Sequence, residues 1–180
     1  LTNEGIAQHN KYDEDVAYQK TLVLDVPSSK EYALSQFEKL YKLDKNYSYQ
    51  TIRTTTDVTG MSHERLQQYY KGIKIEFGVF IIHSKEGKVV SVNGELYNAS
   101  STSTNPVLTK ESGFSVAVNE TNAVKYLWED PEQAKLMEYV KPSGELVLFP
   151  IVKTGEVRLA YKYDIYAVEP ILREEIFVDE

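Results

Sequence analysis

The 180-residue sequence predicts an α+β fold of two consecutive modules, each a helix packed on a curled antiparallel sheet. Three observations support this prediction. The chain holds 14 Tyr and 6 Phe but 1 Trp and 2 Met, and aromatic residues favour half-buried strands. Alternating segments rich in Tyr, Thr, Val and Ile occupy much of its length. A helical pattern followed by antiparallel strands occurs twice, on either side of a small-polar linker at 100–106.

The first half begins with a polar, weakly patterned stretch, residues 1–19, which indicates an N-terminal arm. "TLVLDV" then predicts a short strand. Ser28 and Glu31 have the spacing of a capping box at a helix start. Apolar residues from Ala33 to Tyr41 recur at helical spacing, so an amphipathic helix is predicted over residues 29–43.

Strand patterns fill the rest of this half. "YSYQTIRTTT" alternates, residues 57–60 form a turn signal, and residues 62–71 alternate again. "IKIEFGVFIIHS" is the strongest strand pattern in the chain. A hairpin connection at 85–88 returns the chain antiparallel through "VVSVNGELYN".

The second half repeats this order of elements. Thr109 is placed to cap a helix that carries Phe114, Ala117, Val118 and Val124. "EDPEQAKLMEYV" adds a short helical or irregular segment. "ELVLFPIV" and "VRLAYKYDIYAVEP" are strands joined by a turn at 153–156, and "EEIFVDE" begins another. The predicted organisation is an arm at 1–19, a module at 20–99, a linker at 100–106 and a module at 107–180.

Composition excludes several classes of function. The net charge of −7 and the pI near 5.1, without a compact Lys/Arg patch, argue against nucleic-acid binding. The sequence has no Cys, so disulfides and thiolate chemistry are excluded. No run approaches the roughly 20 apolar residues of a membrane span. Because Leu1 is not an initiator Met, we expect that the start of the chain has been removed.

One short stretch has the appearance of a zinc-protease motif. "SHERLQQ" begins like H-E-x-x-H, in which two His on one helical face bind zinc. Here Gln67 takes the place of the second His, and the surrounding residues alternate as in a strand. Neighbouring His63 and Glu64 would then point to opposite faces of a sheet. We therefore expect no metal site at His63.

The remaining sequence offers no assembled active site. His9 and His83 have no acidic or His partner at ligand spacing, and we expect His83 to be a hydrogen-bonded structural residue. There is no G-x-S-x-G elbow and no glycine-rich phosphate loop. The expectation is a protein that is not an enzyme and uses no cofactor.

The segment from residue 62 to residue 97 resembles the FTP domain, the fungalysin–thermolysin propeptide module. That pattern runs R-x-x-Q-x-x-x-G-I-x-V, then a hairpin with a Gly turn, then V-x-S-V-N-G. Lys74 departs from it, since Pro is common there. The matching residues are Arg65, Gln68, Tyr69, Gly72, Ile73, Ile75, Gly78, Gly87, Val90, Ser91, Asn93 and Gly94.

The second half is similar to the PepSY-like module that follows FTP in protease precursors. "LTKESGFSVAV" matches its opening helix, although Gly113-Phe114 replaces the usual Ala-Leu, and the later strands match its ladder. The resemblance covers about residues 20–180. It implies two cystatin-like modules, FTP-like at 20–99 and PepSY-like at 107–180.

The resemblance implies a propeptide of a secreted, bacterial thermolysin-like zinc metalloprotease, from a precursor with a signal peptide, found extracellularly or in the periplasm. Its partner would be the cognate catalytic domain, which it would help to fold and would inhibit. We expect the segment that reaches the catalytic cleft to follow Glu180. The alternative is an autonomous secreted module that holds a peptide or small ligand on its sheet. Residues expected to contact the partner or to hold the fold together are Arg65, Gln67, Gln68, Tyr69, Tyr70, Gly72, Tyr161, Tyr163 and Tyr166.

Overall fold

The computed structural model describes the backbone of residues 8–9 and the whole of residues 19–179. The predicted arm at 1–19 therefore lies largely outside the described residues. These residues divide into two units, one reaching to Thr102 with Pro150–Val157 added, the other comprising Ser103–Phe149 and the chain from Arg158 onward. The described part of the chain combines three α-helices with mostly antiparallel strands, which confirms the α+β class in this coarse form.

The first unit contains the elements β1 Gln8–His9, β2 Gln19–Ser28, α1 Lys30–Leu40, β3 Tyr47–Thr56, β4 Met61–Tyr70, β5 Ile73–Lys85 and β6 Lys88–Glu95. Its strand order is β1-β2-β6-β5-β4-β3, with antiparallel neighbours throughout. Helix α1 packs on β2 and β6. Ala33 and Phe37, one turn apart, are fully buried in a core with Leu22, Phe80 and Val92, because apolar residues four apart share one helix face.

The helix start differs by one residue from the prediction. Ser29, not Ser28, is the N-cap: its backbone is extended and its side chain accepts a hydrogen bond from the Tyr32 N–H. Ser28 instead ends β2 and donates to the Val26 carbonyl. The two adjacent serines are equally suited to capping, and the length of β2 decides between them.

The remaining elements are α2 Lys110–Glu120, β7 Lys125–Tyr126, a 3₁₀ turn Leu127–Glu129, α3 Pro131–Leu136, β8 Glu145–Ile151, β9 Glu156–Glu169 and β10 Ile171–Asp179. The end of β8 and the start of β9 belong to the first unit, and the rest to the second. In the second unit α2 contacts β10, and alternate residues of β9 are buried, including Tyr161, Tyr163 and Ile165. Val124 was predicted on the helix, which was wrong: α2 ends at Glu120, and Val124 is exposed.

Gly113 explains how α2 approaches β9 so closely. The Tyr163 hydroxyl donates to the Lys110 carbonyl at 2.7 Å, so the ring lies directly under the first turn of the helix. A Cβ at position 113 would stand 2.6 Å from that hydroxyl oxygen. Glycine at this position therefore makes room for the buried tyrosine.

We expect Gly113→Ala to destabilise the protein by about 1–3 kcal/mol, the usual effect of overpacking a core. The sign is diagnostic, because Gly→Ala in an unobstructed helix stabilises by about 1 kcal/mol. Urea unfolding measures it, with Val116→Ala on the exposed face of α2 as the control. In a Tyr163→Phe background the cost should shrink, since the clashing oxygen is gone. An equal cost in both backgrounds would contradict this account.

Candidate functional site

Strand β4 sends neighbouring residues to opposite faces of the sheet, as the alternation predicts. Glu64 lies on the helix side, where its carboxylate is 2.8 Å from Lys30 Nζ on α1. Partial burial acts to raise the pKa of Glu64, but hydrogen bonds from Lys30 and Thr51 outweigh it and leave that pKa below its ordinary value. His63 lies on the other face. The two residues of the zinc-protease-like pair are thus separated by the sheet.

Gln68 ties β4 to the segment that follows β6. Its side chain is fully buried. The amide Nε2 donates to the Tyr97 carbonyl at 3.0 Å, and the Tyr97 N–H donates to Oε1 at 3.0 Å. One side-chain amide therefore satisfies both backbone groups of a buried residue, the arrangement that an adjacent strand would otherwise supply.

Gln67 braces a large bulge in β5. Gln67 pairs with Val79 and Tyr69 pairs with Lys74, so residues 75–78 of β5 stand opposite Gln68 alone. Gln67 Nε2 donates to the carbonyls of Ile75 at 2.6 Å and Gly78 at 3.1 Å. The bulge is stable because Gln67 takes up carbonyls that have lost their strand partners.

The bulge presents Phe77 outward in a strained conformation. Phe77 has φ of 61° and is 49% exposed. Left-handed backbone costs a residue with a side chain about 1–2 kcal/mol, and a bulky residue rarely adopts it. An exposed aromatic ring on strained backbone is a feature found at functional sites.

A concave pocket of about 480 Å³ lies beside Phe77. Arg65, Gln67, Asn93 and Glu95 are among the residues that line it. Arg65 is exposed, whereas the neighbouring Glu76 is buried and pairs with Lys74 at 2.8 Å. The pocket therefore combines an aromatic ring, a guanidinium group and polar side chains, the mixture that protein-recognition surfaces favour.

Residues 48–96 match the family model described as the Fungalysin/Thermolysin Propeptide Motif. The chain carries this propeptide motif. The match runs from β3 to the residue after β6 and includes the braced bulge, Phe77 and most of the pocket lining. Among curated proteins, none matches the chain. The resemblance of the second half to PepSY stays a prediction.

The residues predicted within the propeptide motif lie in two environments. Gln67, Gln68 and Tyr70 are buried. Arg65 is exposed and Tyr69 is half-buried, while Gly72 lies in the exposed β4–β5 turn. Arg65 and Gln67 line one pocket with Phe77, a residue that the sequence analysis did not single out. A glycine inside a strand pattern, Gly78, was the available signal for a bulge there.

The tyrosines predicted in the second unit differ from one another. Tyr161 and Tyr163 are buried in the core under α2. Tyr166 is half-buried, with the Arg173 guanidinium 5.5 Å above its ring. Arg173 also binds Asp164 through two hydrogen bonds, of 3.0 and 2.7 Å. Tyr166 is the member of this group that keeps part of its surface exposed.

A pair of histidines faces outward near the propeptide motif's first hairpin. His63 and His83 are directly opposite in register, with their Nδ1 atoms 2.7 Å apart. The expectation that His83 lacks a His partner was wrong, because pairing of β4 with β5 brings the two rings together. Within residues 19–179, no group of three or more His, Asp or Glu is arranged to hold a metal ion. Of the helices described, none is long and apolar enough to cross a membrane.

We expect Gln68→Leu to destabilise the protein by roughly 2 kcal/mol or more, because the Tyr97 N–H and carbonyl would be left buried without partners. Gln50→Leu, an exposed glutamine on β3, is the matched control and should change stability by less than about 0.5 kcal/mol. Urea unfolding compares the two variants. Equal effects would show that the Gln68 amide does not brace the propeptide motif.

Proposed function

We propose that the chain is the propeptide of a secreted, bacterial thermolysin-like metalloprotease, which assists folding of the catalytic domain and inhibits it until cleavage. The match of residues 48–96 to the propeptide motif is the observation that carries this proposal. In this view the two units are FTP-like and PepSY-like, both cystatin-like. The chain itself performs no catalysis, and its partner is the catalytic domain made on the same precursor.

The surface around Phe77 and Arg65 is the best candidate for contact with that domain. Aromatic and arginine side chains dominate the binding energy of protein interfaces. Covering the half-exposed Phe77 ring would recover hydrophobic free energy that the free chain does not gain. Tyr69 borders this region on β4. Tyr166, with Arg173 above it, is a separate candidate in the second unit.

The buried members of the predicted set serve the fold. The side-chain amides of Gln67 and Gln68 donate hydrogen bonds to backbone carbonyls. The Tyr163 hydroxyl donates to a carbonyl in the first turn of α2. A partner could not touch Gln68 or Tyr163 without unfolding their surroundings, so inhibition and templating would depend on these two only through stability. Gln67 lines the pocket beside Phe77, but its amide is already bound to backbone carbonyls.

The pocket beside Phe77 also favours the alternative function, an autonomous secreted module that binds a peptide or small ligand. A volume of about 480 Å³ is within the range of small-ligand sites. The two proposals differ in what the gene encodes after Glu180. A reading frame that continues into an H-E-x-x-H catalytic domain supports the propeptide, and a stop codon there supports the autonomous module.

The direct test is refolding. A denatured catalytic domain from the same reading frame should regain more activity when this chain is present, and the native domain should lose activity when the chain is added. The chain unfolded by the Gln68→Leu change plus urea provides a control for nonspecific effects. No gain in refolding yield together with no inhibition would overturn the propeptide proposal.

The docking surface is tested by Phe77→Asn. Asn tolerates left-handed backbone, so the variant should fold with nearly unchanged stability. Loss of the ring should weaken inhibition of the catalytic domain about tenfold or more, as expected for an interface hot spot. Val58→Asn, which removes a fully exposed apolar side chain from the β3–β4 turn, is the control and should inhibit normally. Equal inhibition by both variants would exclude Phe77 from the interface.

A further inference from the structure

We propose that His63 and His83, with Asp57 and Asn93 at their outer ends, form an acid-sensitive clasp that stays closed while the two rings share at most one extra proton. His63 Nε2 lies 3.3 Å from Asp57 Oδ2, and His83 Nε2 lies 2.5 Å from Asn93 Oδ1. With the 2.7 Å contact between the Nδ1 atoms, these bonds form a continuous line. The line joins the β3–β4 turn to β4, β5 and β6.

The number of protons in the line follows from its end groups. A carboxylate only accepts hydrogen bonds, so His63 donates from Nε2 to Asp57. The carbonyl oxygen of Asn93 also only accepts, so His83 donates from Nε2. One hydrogen fits between two nitrogens 2.7 Å apart. The pair then carries three protons on four nitrogens and one positive charge, which Asp57 balances.

When both histidines are neutral, all three hydrogen bonds of the line can still form. If the Asn93 amide turns so that its NH₂ group faces His83, that ring accepts at Nε2 and donates from Nδ1 to His63. Each ring then has one proton. Loss of the extra proton at high pH therefore leaves the clasp closed, and sensitivity is confined to the uptake of a second charge.

With a second positive charge on the histidine pair, the hydrogen bond between the two rings cannot form. Two N–H groups would face each other across 2.7 Å, and two cations would share one carboxylate. The Thr59 hydroxyl, more than any other partner, holds the pKa of Asp57 far below its ordinary value, so Asp57 already carries its full charge. The charged residues next along the adjoining strands are Arg53 on β3, Arg65 on β4, Lys85 on β5 and, two residues beyond Asn93, Glu95 on β6.

The nearby acidic side chains are not placed to balance a second positive charge on the histidine pair. Glu95 accepts a hydrogen bond from the Tyr97 hydroxyl at 2.9 Å, and Glu64 is on the opposite face with Lys30. Both imidazoles are partly accessible to water, since His63 is 30% exposed and His83 is half-buried, so protons reach them freely. Acid should separate the rings and loosen this end of the sheet.

The effect on stability has a definite sign. Free imidazole gains its charge between about pH 8 and pH 5, so in that range the unfolded chain takes up a proton at each histidine. Once both histidines of the unfolded chain are charged while the closed clasp holds a single extra proton, the unfolded state binds one proton more than the folded state. Stability then falls as pH falls, and the folding equilibrium constant loses up to about tenfold per pH unit from this source.

Urea unfolding of the chain and of His83→Gln between about pH 7 and pH 5 tests the clasp. The unmodified chain should lose stability more steeply than His83→Gln as pH falls, and the difference should approach a factor of ten per pH unit at the acid end of this range. His9→Gln removes the remaining histidine and is the control, which should follow the unmodified chain. Parallel curves for the unmodified chain and His83→Gln would overturn the proposal.

Nuclear magnetic resonance of the unmodified chain provides a readout that does not depend on a variant folding. At neutral pH a single Nδ1 proton should show contacts to both rings, and it should disappear on acidification as amides of β4 and β5 begin to exchange faster. Two rings that titrate independently, without faster exchange of those amides, would also overturn it.

Discussion

The bulge in β5 is the constraint on which the rest of the first unit depends. Tyr70 pairs with Ile73 across a tight turn, and a regular hairpin would continue that register so that His63 met Phe80. Residues 75–78 opposite Gln68 shift the register by three. Leu66 consequently meets Phe80, and His63 meets His83. An odd shift exchanges the two faces of β5, so Phe80 and Ile82 enter the core under α1 and Ile81 and His83 face outward.

Two adjacent glutamines hold this bulge in place, and they do so on opposite faces of β4. Gln67 takes the carbonyls released from the ladder, while Gln68 fills the space next to Gly78 and binds Tyr97. A Cβ on residue 78 would lie 2.8 Å from Gln68 Oε1, so the glycine leaves room for the glutamine side chain. The propeptide motif therefore specifies a backbone shape first. In the proposed complex, Arg65 and Phe77, which line one pocket beside the bulge, would make the contacts with the partner.

Local patterns predicted most elements of the fold, and failures occurred where a distant contact decided the outcome. The α1 helix, the hairpin turn at 85–88 and the Thr109 cap follow from nearest neighbours and are confirmed. The choice of Ser29 over Ser28 depended on where β2 ends, and the exposure of Val124 on where α2 ends. The His63–His83 contact could not be predicted, because the simple hairpin register pairs His63 with Phe80. The matched propeptide motif was found from its spacing of Arg, Gln and Gly, whereas burial of Tyr161 and Tyr163 required the packing of α2.

Phe77 occupies a strained backbone position at which the fold does not require a phenylalanine. The bulge requires one residue in left-handed backbone, and glycine would adopt it without the cost of about 1–2 kcal/mol that phenylalanine incurs. Glycine is present one residue later, where it accommodates Gln68 rather than relieving the strain. Because 49% of the Phe77 surface stays exposed, the ring keeps apolar area that a partner could cover. In the proposed complex, covering this ring would add hydrophobic stabilisation at the strained position.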